Sequence, residues 1–440
     1  MFTLKKEKML CSNIARNEAG ELTFAGASLK LLKKKYGTPL YLYDEERIRQ
    51  MCREYRNAVN EILGDGGQVL YASKAASFKR LYEIINDEGL GIDVVSCGEI
   101  YTAMRADFPL SRAYFHSNNK TDEDIEYAIN AGVGCFVVDN AEELVAISDI
   151  ATRMGKVQNV ILRITPGIDP HTYAAVATGK VDSKFGSAIE TGQAEEITRC
   201  ALLLNGICLL GFHCHIGSQI FELDVYKRAA DVMLEFVADV YKKTGYLAKE
   251  LDLGGGLGVR YIAEQPEIDI GSMIREICIY LTECAKRLDI KLPKISFEPG
   301  RSIVADAGLT LYTVGTVKRI PGYKSYVSVD GGMADNPRFA LYGSPYTILP
   351  VDDMDKKEKF SVSIVGRCCE SGDILQENVE MPCDIGRGDL IACLTTGAYH
   401  YSMSSNYNKL TRPPVVMIND GRDYVAVRRE TVEDLASFDL

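Results

Sequence analysis

Signals that would place a chain in a membrane, a secretion route or a nucleic-acid complex are scarce here. No apolar run is long enough to cross a bilayer, and the opening MFTLKKEKMLCSNIARNEAG has no continuous apolar core of signal-peptide length. The expected compartment is therefore the cytoplasm. No C-x-x-C pair occurs among the 13 cysteines, and an odd number in a long chain points to free thiols rather than a disulfide framework. Basic clusters are also missing: Lys33-Lys34-Lys35 reads as the solvated end of a helix, and a net charge of −11 argues against nucleic acid. There is no low-complexity segment and no evident sequence repeat.

What is present is an ordinary soluble composition, 46% hydrophobic and 25% charged, in 440 residues. That length exceeds one ordinary core, so two domains are expected. Between about residues 68 and 301, short β-rich runs alternate with longer amphipathic ones. The runs QVLYAS (68–73), GIDVVS (91–96), AYFHS (113–117) and GCFVVD (134–139) read as strands, followed by NVILRIT (159–165), CLLGFHCH (208–215), KELDL (249–253) and KISFE (294–298). Strict alternation of buried strands with helices implies a parallel sheet, and eight repeats imply closure into a (β/α)8 barrel over 44–301. Thr121 and Asp124 form a capping-box signal for the helix that follows them. After Arg301 the runs become short, β-branched and aromatic, which marks an all-β domain at 302–440 joined by strands from 1–43.

A barrel places its chemistry at the C-terminal ends of its strands. The unusual residues cluster there: Lys74 after strand one, His213 and His215 at strand six, Gly254-Gly255-Gly256 after strand seven, and Glu298-Pro299-Gly300-Arg301 at strand eight. The glycine triplet is either a tight turn or a phosphate cradle, and the loops after strands seven and eight favour phosphate. His213 and His215 point the same way from their strand. They suit a metal pair, hydrogen-bonded core positions, or an imidazole lying against an aromatic cofactor. A metal site needs further ligands, and only His116, His171 and His400 remain, so metal is not expected. Glu298 can face a ring nitrogen or form a barrel salt bridge, for instance with Arg301. A lysine among small residues, a phosphate cradle, an imidazole and a carboxylate together describe a pyridoxal 5′-phosphate site, in which desolvation would lower the lysine's pKa.

These motifs resemble the fold-type III pyridoxal-phosphate-dependent decarboxylases. YASKA, GIDVVSCGEI, HSNNK, ATGKVDSKFG, GFHCHIGSQ, LDLGGGLG and FEPGR match in the barrel, and VDGGMADNPRFALYG, GRCCESGDIL and TTGAYHYSMSSNYN in the β-domain. The resemblance implies an alanine-racemase-type barrel with a C-terminal β-domain. Lys74 would bind the cofactor covalently, and His215 would stack on its ring. Ser218, Gly255, Gly256 and the Glu298-Pro299-Gly300-Arg301 turn would hold the phosphate, with Glu298 on the pyridine nitrogen. Cys369 would protonate Cα. Arg301, Arg338, Tyr342 and Glu370 would bind the substrate's distal end, and Tyr399 would contact cofactor and substrate. The implied reaction is decarboxylation of meso-2,6-diaminopimelate to L-lysine, in a homodimer whose β-domains complete each other's sites. An arginine and a glutamate suit a distal zwitterion better than the bare distal groups of ornithine, arginine or carboxynorspermidine. A non-catalytic homologue would be expected to lose Lys74 or Cys369, and both are kept.

The chain departs from the family pattern at Arg367, where proline is usual, at His400 and Ser117, where glycine is usual, and in DPHTYAAVATG, which lacks a His-Pro step. Arg367 and His400 fall beside expected active-site positions and bear on the exact substrate.

Overall fold

The eight expected strands form in the computed structural model, which describes residues 9–168, 183–352 and 358–440. They are Gly67–Ala72, Gly91–Val94, Ala113–Phe115, Cys135–Val138, Gln158–Thr165, Ile207–His213, Glu250–Asp252 and Lys294–Phe297. Each pairs in parallel with the next, the eighth pairs with the first, and the sheet closes into a barrel. Most strand residues are buried because one face packs the barrel interior and the other meets the helices.

Several of the helices that follow barrel strands begin at a side-chain cap. Ser96, Thr121 and Asn140 start Cys97–Arg105, Asp122–Ala131 and Ala141–Arg153 by accepting the N–H three residues on, and the Thr121–Asp124 capping box is complete. In the long helix Leu223–Thr244, Val225, Tyr226, Ala229, Ala230, Met233, Leu234, Val237 and Val240 are buried along one stripe. Gly245 ends that helix at φ 73°, a left-handed conformation natural to glycine. Among the described residues, no helix is long and apolar enough to cross a membrane.

The chain divides into two compact units. The barrel unit comprises Arg49–Gly258 and Ile268–Ile303. The β-rich unit comprises Met1–Ile48, Val259–Glu267 and Val304–Leu440. The segment 259–267, which the sequence reading left inside the barrel, therefore belongs with the β strands. Tyr261 explains why: it is buried in a cluster with Tyr312, Val314 and Tyr346, its ring edge-on to Tyr346 at 5.0 Å.

Within the β-rich unit, Leu40–Asp44 is an interior strand, antiparallel to Gly308–Arg319 and parallel to Val415–Asn419. Ile14–Arg16, Leu22–Phe24 and Ala27–Ser28 form a small sheet of their own and share a core with Leu40, Leu42, Leu309 and Leu311. The sequence reading did not pick out Ile374–Pro382, which pairs with Lys359–Val365; its alternation is interrupted at Glu377 and Asn378, where the register shifts.

Candidate active site

The polar residues at the C-terminal mouth of the barrel converge on Glu298. His116 Nε2 lies 2.6 Å from one carboxylate oxygen and His213 Nε2 3.1 Å from the other. All three side chains are buried, and the two imidazoles meet edge to face at 4.9 Å. Burial alone would raise the Glu298 pKa, but the facing imidazoles outweigh it and hold the carboxyl well below its usual range. Burial pushes His213 down to about 4, so it is neutral at pH 7. The three ligand atoms lie within 4.8 Å of one another, a spacing that would also suit a cation. The direct hydrogen bonds give this cluster an account without one. The salt bridge considered between Glu298 and Arg301 does not form; Arg301 instead donates from Nε and Nη2 to Ser218 Oγ at 3.2 and 3.0 Å.

Three further titratable groups surround this carboxylate; the sequence singles out none of them, and it offers His116 only as a possible metal ligand. Asp93 Oδ1 sits 3.9 Å from His116 Nε2, makes no hydrogen bond, and has its pKa raised by burial. Arg163 is in register with His213, and its guanidinium lies over the Phe185 ring at 4.3 Å. Asp252, in register on the next strand, accepts the Gly254 N–H at 2.7 Å. Each is a polar residue near the end of a strand that otherwise reads as apolar. The position at a strand end is the one local signal they carry.

His215 is half-buried, and its Nδ1 accepts the Gly255 N–H at 3.3 Å, which orients the ring. Burial, followed by the charge on Lys74, holds its pKa well below the ordinary histidine range. Lys74 occupies a one-turn helix, Ser73–Ala75, directly after the first strand. Ser73, Ala75 and Ala76 are buried, whereas Lys74 itself is exposed. The expectation of an amine desolvated by its neighbours is thus corrected: the small residues pack the turn beneath the lysine and leave its side chain open to solvent.

The glycines of these loops are also required by close packing. A Cβ on Gly255 would lie 2.2 Å from the Glu298 carbonyl oxygen, and one on Gly256 would lie 2.4 Å from that of Gly217. On Gly300 it would meet Ala72 Cβ at 2.9 Å. Glycine is required at these positions because the loops after strands six, seven and eight pack backbone to backbone. The same packing brings Pro299, Gly300 and Arg301 beside the end of the first strand, where Pro299 O accepts the Ala72 N–H.

Lys120 of HSNNK has no role at this mouth. Its ammonium is fully buried and bonds Glu143 Oε1 and Val137 O, both at 2.8 Å, as a structural pair. The DPHTYAAVATG segment, with His171, and the ATGKVD part of the next motif lie outside the described residues.

In the β-rich unit, Arg338 is buried with its guanidinium 5.2 Å from the centres of both the Tyr342 and Tyr399 rings. Its Nε makes no hydrogen bond. Cys369 and Glu370 are exposed on a loop organised by the buried Asp373, whose oxygens accept the N–H groups of Cys368 at 2.7 Å and Met333 at 2.6 Å. Cys369 N–H donates to Asn408 Oδ1 at 2.7 Å. His400 is fully buried, its ring edge-on to Tyr346 at 5.0 Å and its Nδ1 2.9 Å from Ala398 O. Its replacement of the usual glycine is a matter of core packing. Arg367 is exposed.

At the barrel mouth, an exposed amine, a guanidinium paired with a hydroxyl, an oriented imidazole and a buried ionised carboxylate make up one donor set. These groups match a ligand carrying an aldehyde, a phosphate and a basic ring nitrogen, so the residues present fit pyridoxal 5′-phosphate.

Comparison with known proteins agrees with that chemistry. The sequence profile of the pyridoxal-binding domain of pyridoxal-dependent decarboxylases matches residues 45–305. The chain is 42% identical to diaminopimelate decarboxylase of Bacillus subtilis over 97% of its own length and 96% of that protein. It is 43% identical to the Bacillus methanolicus enzyme of the same name, over 94% and 95% of the two chains. A crystal structure of diaminopimelate decarboxylase from M. jannaschii with L-lysine superimposes with a TM-score of 0.91 at 32% identity, covering 98% of this chain and 99% of that one.

Proposed function

The chain belongs to the diaminopimelate decarboxylases, within the pyridoxal-dependent decarboxylases, and from that premise we propose how its own residues carry the reaction. The reaction removes one carboxyl group of meso-2,6-diaminopimelate as carbon dioxide and leaves L-lysine. When bound, pyridoxal 5′-phosphate supplies an aldehyde that amines can condense with and a protonated ring that delocalises the electron pair left by carbon dioxide.

Lys74 binds the cofactor covalently. Arg301 and Ser218 hold the phosphate, with the backbone of Gly255, Gly256, Pro299 and Gly300 around it. Glu298 keeps the proton on the ring nitrogen. The observation that carries this reading is the pair of histidines on Glu298, which stabilises a buried negative charge where neutral carboxyl would otherwise be favoured. His215, turned by the Gly255 N–H, would lie against the ring of the bound cofactor.

Arg338, beside Tyr342 and Tyr399, offers a planar fork to the distal carboxylate, and Arg301 and Glu370 complete recognition of the distal group. Tyr399 contacts cofactor and substrate, and Cys369 delivers the proton to Cα. Two copies associate, each lending its β-rich residues to the other's barrel, and the protein works in the cytoplasm. The test is a substrate panel. Lysine should appear from meso-diaminopimelate, with little carbon dioxide from ornithine or arginine; consumption of the latter alone would overturn the substrate assignment.

A further inference from the structure

The opposite, N-terminal mouth of the barrel holds a cavity of about 400 Å³ with no part in this chemistry. It is lined by Arg56, Gln68, Arg112, Tyr114 and Lys294, among others, and no carboxylate lines it. Each cation there is bonded only to neutral acceptors. Arg56 donates to the Glu88 carbonyl at 2.6 Å and Lys294 to Gln68 Oε1 at 2.6 Å. Arg112 donates to Asn86 Oδ1 and lies over the Phe108 ring, while its Nε is buried without a hydrogen bond.

Glu250 sits one layer further in, and its oxygens are taken by Tyr114, Gln68 and Ser296. A second cavity of about 460 Å³ shares Lys294 and adds Lys249 and Lys291, again without an acidic lining residue. Among the described residues, none of these five cations forms an ion pair with a carboxylate. In a chain with 61 acidic and 50 basic residues, that is a concentration of positive charge without carboxylate partners around two partly open, metabolite-sized pockets.

We infer that the N-terminal mouth of the barrel is a second binding site, for a small multivalent oxyanion of phosphate or polycarboxylate chemistry, held by Arg56, Arg112 and Lys294. Guanidinium and ammonium groups facing one cavity would together neutralise two or three negative charges. Gln68 links this floor to the barrel interior by donating to Glu250 while it accepts from Lys294.

The test is calorimetric titration of the cofactor-loaded enzyme with inorganic phosphate and, separately, with citrate, at ionic strength held constant with sodium chloride. Saturable binding of either anion is expected, and the tighter of the two identifies the ligand class. In the Arg56→Gln/Lys294→Gln double variant the affinity should fall by about tenfold or more, while Arg56→Lys/Lys294→Arg should keep it within about threefold. Absence of saturation, equal binding by the Gln double variant, or competition between the anion and meso-diaminopimelate would each overturn the assignment.

Discussion

His116 Nε2 and Glu298 Oε1 are 2.6 Å apart, a charge-assisted hydrogen bond between the third and eighth strands of one barrel. A carboxylate buried this deeply would ordinarily take up a proton, and this contact helps keep it ionised. Glu298→Gln should therefore lower kcat by about 10²–10³-fold, the scale on which a buried electrostatic partner acts. His116→Phe, which leaves the carboxylate in place but removes a donor, should give a smaller loss. Steady-state kinetics on both variants, with cofactor content measured alongside, checks this.

Lys74→Ala should lose the visible colour of the lysine-bound cofactor together with activity. Cys369→Ala should keep the colour and lose turnover. If two copies share their sites, mixing these inactive chains should restore part of the activity, because a mixed dimer contains one intact site. No recovery after demonstrated subunit exchange would show that each chain completes its own.

The Arg338 guanidinium lies 5.2 Å from the centres of two aromatic rings, and lysine cannot reproduce its planar fork. Arg338→Lys should raise KM for meso-diaminopimelate by about tenfold with a smaller change in kcat, as expected when binding common to ground and transition states is lost. The KM-to-kcat split is the measurement.

Glu99, whose Oε2 accepts the Val95 N–H at 2.6 Å, has its pKa raised from 4.5 to about 7, chiefly by burial. A carboxyl with a raised folded pKa contributes stability that is complete below its unfolded pKa and lost as pH rises through the folded one. Glutamine mimics the protonated form. Glu99→Gln should thus gain stability relative to the parent between about pH 4.5 and 7, by up to about 3 kcal/mol, and level off above. Denaturant unfolding across this range reads the difference directly.

The buried pair Lys120–Glu143, 2.8 Å apart with both side chains almost wholly enclosed, predicts a stability effect away from the active site. Lys120→Ala leaves a carboxylate uncompensated and should cost about 3–5 kcal/mol. Replacing both partners, as Lys120→Met with Glu143→Leu, should cost much less. Urea midpoints for the single and double variants test the coupling.

The barrel was legible because its strands are short apolar runs separated by capped helices, and both signals are local. Lys74, His215 and Arg301 stood out for a related reason: each is a polar residue where an apolar strand ends. His116, Asp93 and Arg163 obey the same rule but come from early strands far along the chain from Glu298, and sequence spacing does not reveal which strand ends meet across a closed barrel. The joining of Val259–Glu267 to the β-rich unit was hidden likewise, since it depends on Tyr261 finding Tyr346.

Strand order, domain class and the residue types of the site follow from the sequence alone, because periodicity, capping and composition act over a few neighbouring residues. The tertiary structure decided what surrounds the site's carboxylate and how tightly its glycine loops pack. It turned two histidines onto Glu298, left Lys74 exposed on a packed turn, and used Gly255 and Gly256 to seat one loop backbone against another. Those outcomes depend on burial and on distances between residues remote in the chain, which exist only once the barrel has closed.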